Sequence, residues 1–213
     1  MSRILVLSPH PDDESLGCGG TLRKHVDDGD IVSVVFITSG EQGGHGRPAE
    51  VMRRVREAEA ARAARTLGVE HIEFWGEPDG ALRATSAVVD RLRRKISELR
   101  PHLIYLPHER EAHPDHRAVA RALRAAMRDN NGGAHRPAVR MFEVWTPIER
   151  MDVIVDITPY IEVKLKAIRK YRSQCQVMRF DDAARGLARY RGEMHSWPEG
   201  EYAEVFALLG ERS

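Results

Sequence analysis

The chain has 213 residues, 42% hydrophobic and 31% charged, and 33 Lys and Arg balance 32 Asp and Glu to a formal charge of +1. That length suits one domain spanning 1–213, since single domains run to about 250 residues, and the near-zero charge gives no whole-protein field for nucleic acid. Two cysteines, Cys18 and Cys175, make neither a disulfide framework nor a C-x-x-C metal site.

Strands and helices alternate along the sequence. Residues 4–7 are an apolar run closed by Ser8-Pro9, a buried first strand entered without any leader pattern. After a glycine-rich stretch, 21–26 opens a helix, and the β-branched run 31–37 is the clearest strand. A loop over 43–48 precedes a long helix, about 49–67, stopped by Gly68. A short strand at 72–74 leads through Pro78-Asp79-Gly80 to a helix over about 86–99 and a strand at 103–106. A helix over about 115–128 stops in Asn130-Asn131-Gly132-Gly133, and 139–145 and 153–155 read as further strands. Helices are expected at 158–171 and, amphipathic, at about 202–209. This order implies an α/β fold whose mostly parallel sheet is covered on both faces, with sites on the loops after the strands. No segment approaches the roughly 20 apolar residues of a membrane span, so a cytoplasmic protein without stable membrane insertion is expected.

Two of those strand-end loops carry unusual clusters: Ser8-Pro9-His10-Pro11-Asp12-Asp13-Glu14, and His108-Glu109-Arg110-Glu111-Ala112-His113-Pro114-Asp115-His116. A catalytic zinc takes three His or carboxylate ligands and keeps one position open. His10 and Asp13, three apart in a Pro-stiffened turn, supply two, and His116 or His113 the third. Because zinc brings the pKa of its water to about 7, the chemistry further needs a base and a group facing the developing oxyanion. Asp12 and His113 are placed for these tasks. Singly, each cluster reads as a helix cap or a solvated turn. Their conjunction at two strand ends points to a metal.

At these residues the chain resembles the PIG-L/LmbE-like zinc N-deacetylases, whose signatures A/S-H-P-D-D-E and H-x-D-H stand here in 8–14 and 113–116. The likeness runs on through Leu16-Gly17-Cys18-Gly19-Gly20-Thr21, Thr38-Ser39-Gly40-Glu41, Pro78-Asp79-Gly80, Tyr171-Arg172-Ser173-Gln174 and Tyr202-Ala203-Glu204-Val205-Phe206. It implies a Rossmann-like three-layer α/β sandwich that removes the N-acetyl group from an N-acetylglucosamine-containing small molecule or glycoconjugate, releasing acetate and a free amine. It also implies that His10, Asp13 and His116 hold the metal and that Asp12 is the general base. His113 would then steady the oxyanion or act as acid, with Asp115 orienting its imidazole. Arg56 and Asp79 match positions that approach the sugar. Their alternatives are a surface pair of Arg56 with Glu57 or Glu59 and a plain turn at Asp79-Gly80. Glu14 is expected to support the first loop.

The family likeness further implies an amino-sugar small molecule as partner and is compatible with a homo-oligomer. Some of these deacetylases place a tyrosine just before the second signature. Here that stretch reads Glu109-Arg110-Glu111-Ala112, whose charged groups would meet the substrate instead. The rival enzyme is an amidase cleaving a larger N-acyl conjugate. A nucleotide-binding module fails because Gly17-Cys18-Gly19-Gly20 is not G-x-G-x-x-G, and a non-catalytic zinc site needs neither Asp12 nor His113. Two His and a carboxylate suit zinc first, and also Fe2+ or Co2+. Cys18, among glycines beside the site, is read as a small packed residue rather than a nucleophile.

Overall fold

The structure, a computed structural model, describes residues 1–44, 46–128, 136–195 and 200–210, so the asparagine-rich stop at 130–133 lies outside the described residues. The strands are β1 (Arg3–Ser8), β2 (Ile31–Thr38), β3 (His71–Glu77), β4 (Leu103–Pro107), β5 (Ala138–Phe142), β6 (Val153–Asp156) and β7 (Ala203–Leu208). The helices are α1 (Asp13–Asp27), α2 (Ala49–Leu67), α3 (Ser86–Leu99), α4 (Pro114–Arg128), α5 (Ile161–Ile168), α6 (Arg172–Cys175) and α7 (Phe180–His195).

Among the described residues the strands form one sheet in the order β3-β2-β1-β4-β5-β7-β6. Pairing is parallel from β3 to β5, whereas β7 runs antiparallel to both β5 and β6. Because side chains alternate across a strand, β1 feeds two cores. Leu5 and Leu7 pack with Leu92 of α3 and Val119 and Leu123 of α4. Ile4 and Val6 pack on the opposite face with Leu22 of α1, Ala63 and Leu67 of α2, and Ala167 of α5. That is the three-layer sandwich. Fully burying one such leucine is worth about 1.5–3 kcal/mol.

Sequence order reverses between β1 and β4, which lie side by side with Ile4 opposite Leu103 and Val6 opposite Tyr105. The loops leaving their carboxyl ends therefore diverge over one crevice, the usual place for a site in such sheets. Gly68 ends α2 in the left-handed conformation at φ 80°, as its role as a stop signal requires. Thr85 caps α3, its hydroxyl accepting from the Val88 amide at 3.3 Å.

Three expectations are corrected. The segment expected to be a last helix is the strand β7. Ala203, Val205 and Ala207 fall on one face of the strand and Phe206 on the other, a short apolar pattern that suits a strand between β5 and β6 as well as it suits a helix. The first helix begins at Asp13, so Gly17, Gly19 and Gly20 lie inside it rather than in a loop. There they allow close approach, since a Cβ at Gly17 would overlap the Phe142 ring. The helix expected at 158–171 is a 3-10 turn, Thr158–Tyr160, followed by the shorter α5. Helix α7 has no counterpart in the sequence reading. Among the described residues no helix is long and apolar enough to cross a membrane.

Candidate metal centre

The loop after β1 is pinned before any chemistry is considered. The Thr38 amide and hydroxyl donate to the Pro9 carbonyl at 3.0 and 2.9 Å, and the Ser8 hydroxyl to the His10 carbonyl at 2.8 Å. Asp12 sits at φ 115°, a conformation costly for a residue with a Cβ, on the order of 1–3 kcal/mol. Buried Glu14 holds it there: its carboxylate accepts the Asp12 amide at 3.1 Å and is itself fixed by the Tyr171 hydroxyl at 2.6 Å. Glu14 thus supports the first loop, as expected from sequence.

Within this frame His10 Nδ1, His116 Nε2 and Asp13 Oδ2 form a compact triangle. Asp13 Oδ2 lies 3.1 Å from each imidazole nitrogen, and the two nitrogens are 3.3 Å apart. Tetrahedral ligands at zinc bond lengths of about 2.0–2.2 Å stand about 3.3–3.6 Å from one another, close to these separations, so the donor set fits such an ion. His113 approaches the same place: ring nitrogens of His10, His113 and His116 lie within 4.8 Å of one another.

Electrostatics favour a cation here. Asp12, Asp13, Glu14, Asp79 and Asp115 cluster at the site, and the Arg56 guanidinium reaches one of them, Asp12. Burial alone would discourage charge on His10, yet hydrogen bonds from its ring to the carboxylates of Asp115, Asp13 and Asp79 hold its pKa well above the ordinary value. Burial would raise Asp13, but the His116 and His10 imidazoles outweigh it and hold that carboxyl far below the usual range. Asp12 is pushed up to about 8, chiefly by burial and further by Asp13, against the pull of Arg56. Burial, with His10 and His116 nearby, lowers His113.

The remaining residues expected at the site are all present, in partly different roles. Arg56 does not pair with Glu57 or Glu59. Its guanidinium donates to Asp12 Oδ2 at 3.0 Å, to the Gly40 carbonyl at 2.9 Å and to the Pro11 carbonyl, while Glu57 takes Ser39 and Glu59 takes Ser173. Asp79 lies 3.1 Å from His10 Nε2 and accepts the Gln42 amide at 2.8 Å. The Asp115 carboxylate reaches His10 Nε2 at 3.1 Å and accepts the Gly80 and Leu82 amides at 2.8 and 3.1 Å. Its orienting contact thus runs to the His10 ring, and it meets His113 through its backbone, the Asp115 amide donating to His113 Nδ1 at 3.2 Å. Metal-binding histidines commonly donate their second N–H to a carboxylate in this way.

Glu109 and Glu111, expected to face substrate, are engaged within the protein. Glu109 pairs with Arg124 at 2.5 Å, and Glu111 accepts the amides of Val144, Trp145 and Thr146. Sequence gave no signal for that use of Glu111 beyond its place two residues before the second signature. Cys18 is fully buried with its thiol donating to the Glu14 carbonyl. Burial pushes its pKa well up, and it pushes Cys175 to about 11. Both thiols should therefore resist iodoacetamide near neutral pH in the folded protein, and Cys18→Ala should keep wild-type kcat. Loss of turnover with intact folding in that variant would restore Cys18 as a nucleophile.

Residues 5–127 match the family described as GlcNAc-PI de-N-acetylase, PIG-L. The probable N-acetyl-alpha-D-glucosaminyl L-malate deacetylase 2 of Bacillus cereus is 30% identical over 194 residues, covering 85% of this chain and 88% of that protein. Among solved structures, the conserved protein TT1542 from Thermus thermophilus aligns with a TM-score of 0.84 at 30% identity, covering 100% of this chain and 97% of that one. The N,N'-diacetylchitobiose deacetylase from Pyrococcus horikoshii, solved with its inhibitor MPG, aligns with a TM-score of 0.84 at 26% identity, covering 98% and 84%. The family match extends from β1 through the second histidine cluster, so it takes in both halves of the crevice, and the chain belongs to the PIG-L family.

Proposed function

We propose that this protein is a metal-dependent N-deacetylase acting on an N-acetylglucosamine-containing small molecule or glycoconjugate. The observation that carries this reading is the His10–Asp13–His116 triangle with buried Asp12 beside it and outside it. The relatives named for N-acetylglucosaminyl malate and diacetylchitobiose share an N-acetylated glucosamine unit, which supports that unit as the common substrate element.

His10, Asp13 and His116 would hold the ion, zinc by its donor set, with Fe2+ and Co2+ as alternatives. Such an ion supplies Lewis-acid polarisation of the amide carbonyl and a lowered pKa for water. The chain's own groups do the rest. Asp12, kept basic by burial and aimed by Arg56, accepts the proton of the attacking water. His113 accepts the Asp115 amide on Nδ1, so in its neutral form the hydrogen sits on Nε2, where it can donate to the oxyanion. A proton passed to nitrogen lets the C–N bond break into acetate and a free amine. Asp79 and Asp115 hold the His10 ring, and Arg56 and Asp79 also line the approach for sugar hydroxyls. The free thiols Cys18 and Cys175 suit a reducing compartment such as the cytoplasm.

The test is acetate release from a panel of N-acetylglucosaminyl compounds, with and without a chelator. Release that the chelator stops, and added zinc restores, is expected. Chelator-insensitive release would overturn the metal assignment, and release of longer acyl groups alone would overturn the acetyl assignment.

A further inference from the structure

We propose that Glu111 is a positioning residue that fixes the imidazole of His116 and ties the metal centre to the 144–146 segment. The inference rests on the metal-centre reading above. His116 presents Nε2 to Asp13 and His10, so a neutral, ligating ring must carry its hydrogen on Nδ1. That Nδ1 is fully buried and, among the described residues, has no hydrogen-bond partner. An N–H left so is costly, about 1–3 kcal/mol.

The group facing it is the Glu111 carboxylate, with Oε2 3.7 Å from His116 Nδ1. Glu111 is 1% exposed, and its acceptors are unequally used. Oε1 takes the amides of Val144, Trp145 and Thr146 at 2.7, 3.0 and 3.3 Å. Among the described residues Oε2 takes one longer contact, from the Trp145 amide at 3.2 Å, which leaves lone-pair capacity toward His116. The other neighbouring imidazole does not compete. His108 Nδ1 accepts the Arg110 amide, so its hydrogen is on Nε2, committed to the Thr146 carbonyl at 2.8 Å. A closure of about half an ångström would complete an Nδ1–H to carboxylate bond within the usual 2.7–3.2 Å range. A carboxylate–histidine pairing of this kind fixes the tautomer and makes the ligand more basic. The same carboxylate fixes the backbone of Trp145, whose half-exposed ring meets Phe180 at 5.9 Å between centroids. His116 and the 144–146 backbone therefore share one anchor.

Glu111→Gln keeps an oxygen for the amides and removes the negative acceptor. Zinc affinity, read by competition with a chromophoric chelator, should fall about 10–100-fold, while the melting temperature of the metal-free protein stays near wild type. In a His116→Ala background the same substitution should leave the residual affinity unchanged. Undiminished affinity in Glu111→Gln, or an equal loss in the His116→Ala background, would overturn the proposal. Should the Gln variant not fold, zinc-loaded wild type decides by NMR. A slowly exchanging Nδ1–H on His116 is expected, and a bare Nδ1 would refute the role. None of these readouts uses turnover, so an inactive protein would count against the deacetylase reading and not against this one.

Discussion

Asp12→Ala should lower kcat by about 10²–10⁴, the usual contribution of a positioned general base, while the protein still binds its metal. The geometry separates the two properties. Asp12 lies outside the His10–Asp13–His116 triangle, and its carboxylate is held from the other side by Arg56 at 3.0 Å. Losing the carboxylate would remove the proposed proton acceptor and leave the three donor atoms of the triangle untouched. The substitution should also leave KM largely alone, because the lost contact matters most as the water is deprotonated. Metal content measured alongside steady-state kinetics decides the point. A variant with near-normal kcat would remove Asp12 from the mechanism, and one that lost its metal would place Asp12 among the ligands.

His116→Ala should behave in the opposite way, losing most of its metal affinity and its activity together. The His116 side chain is fully buried at the start of α4 and contributes an edge of the triangle to both Asp13 and His10. A ligand that binds only the folded chain stabilises it by about 4 kcal/mol at 1,000 times its dissociation constant. For a chain of this length that is on the order of 10 °C in Tm. Wild-type protein should show such a rise on adding zinc, and His116→Ala a much smaller one at the same zinc concentration. If the variant responded as wild type does, the ion would be held elsewhere, with His113 in the third place.

Much of this site can be read from the sequence because its donors come in two short clusters, each within one loop. His10 and Asp13 are fixed relative to each other by a turn, and the topology then needs only to set β1 beside β4. Contacts that join distant segments are less legible. Asp115 is next to His116 in sequence, yet its carboxylate serves His10 and the Gly80–Leu82 backbone, a consequence of how the loop after β3 folds over the crevice. Nothing local distinguishes Glu111, whose partners lie in 144–146, from a solvated loop glutamate. The fold shows the same divide. The β-branched run of β2 and the Gly68 stop are local signals and are seen directly. Strand β7 depends on neighbours on both sides, and its apolar pattern alone reads equally well as a helix.

The place of β7 has a consequence for the order in which the chain can assemble. In the sheet β6 pairs with β7, and β7 separates it from β5. During synthesis β6 therefore leaves the ribosome long before the strand that attaches it, and β5 waits as a bare edge over the same interval. Unpaired edges invite pairing with other chains, and delayed closure lengthens that exposure. The His10, Asp13 and His116 donors are already made by then. What the final strand adds is the seal: Glu204 on β7 accepts the Gly20 and Thr21 amides of α1 and pairs with Lys164 of α5, locking in place the helix that begins at Asp13.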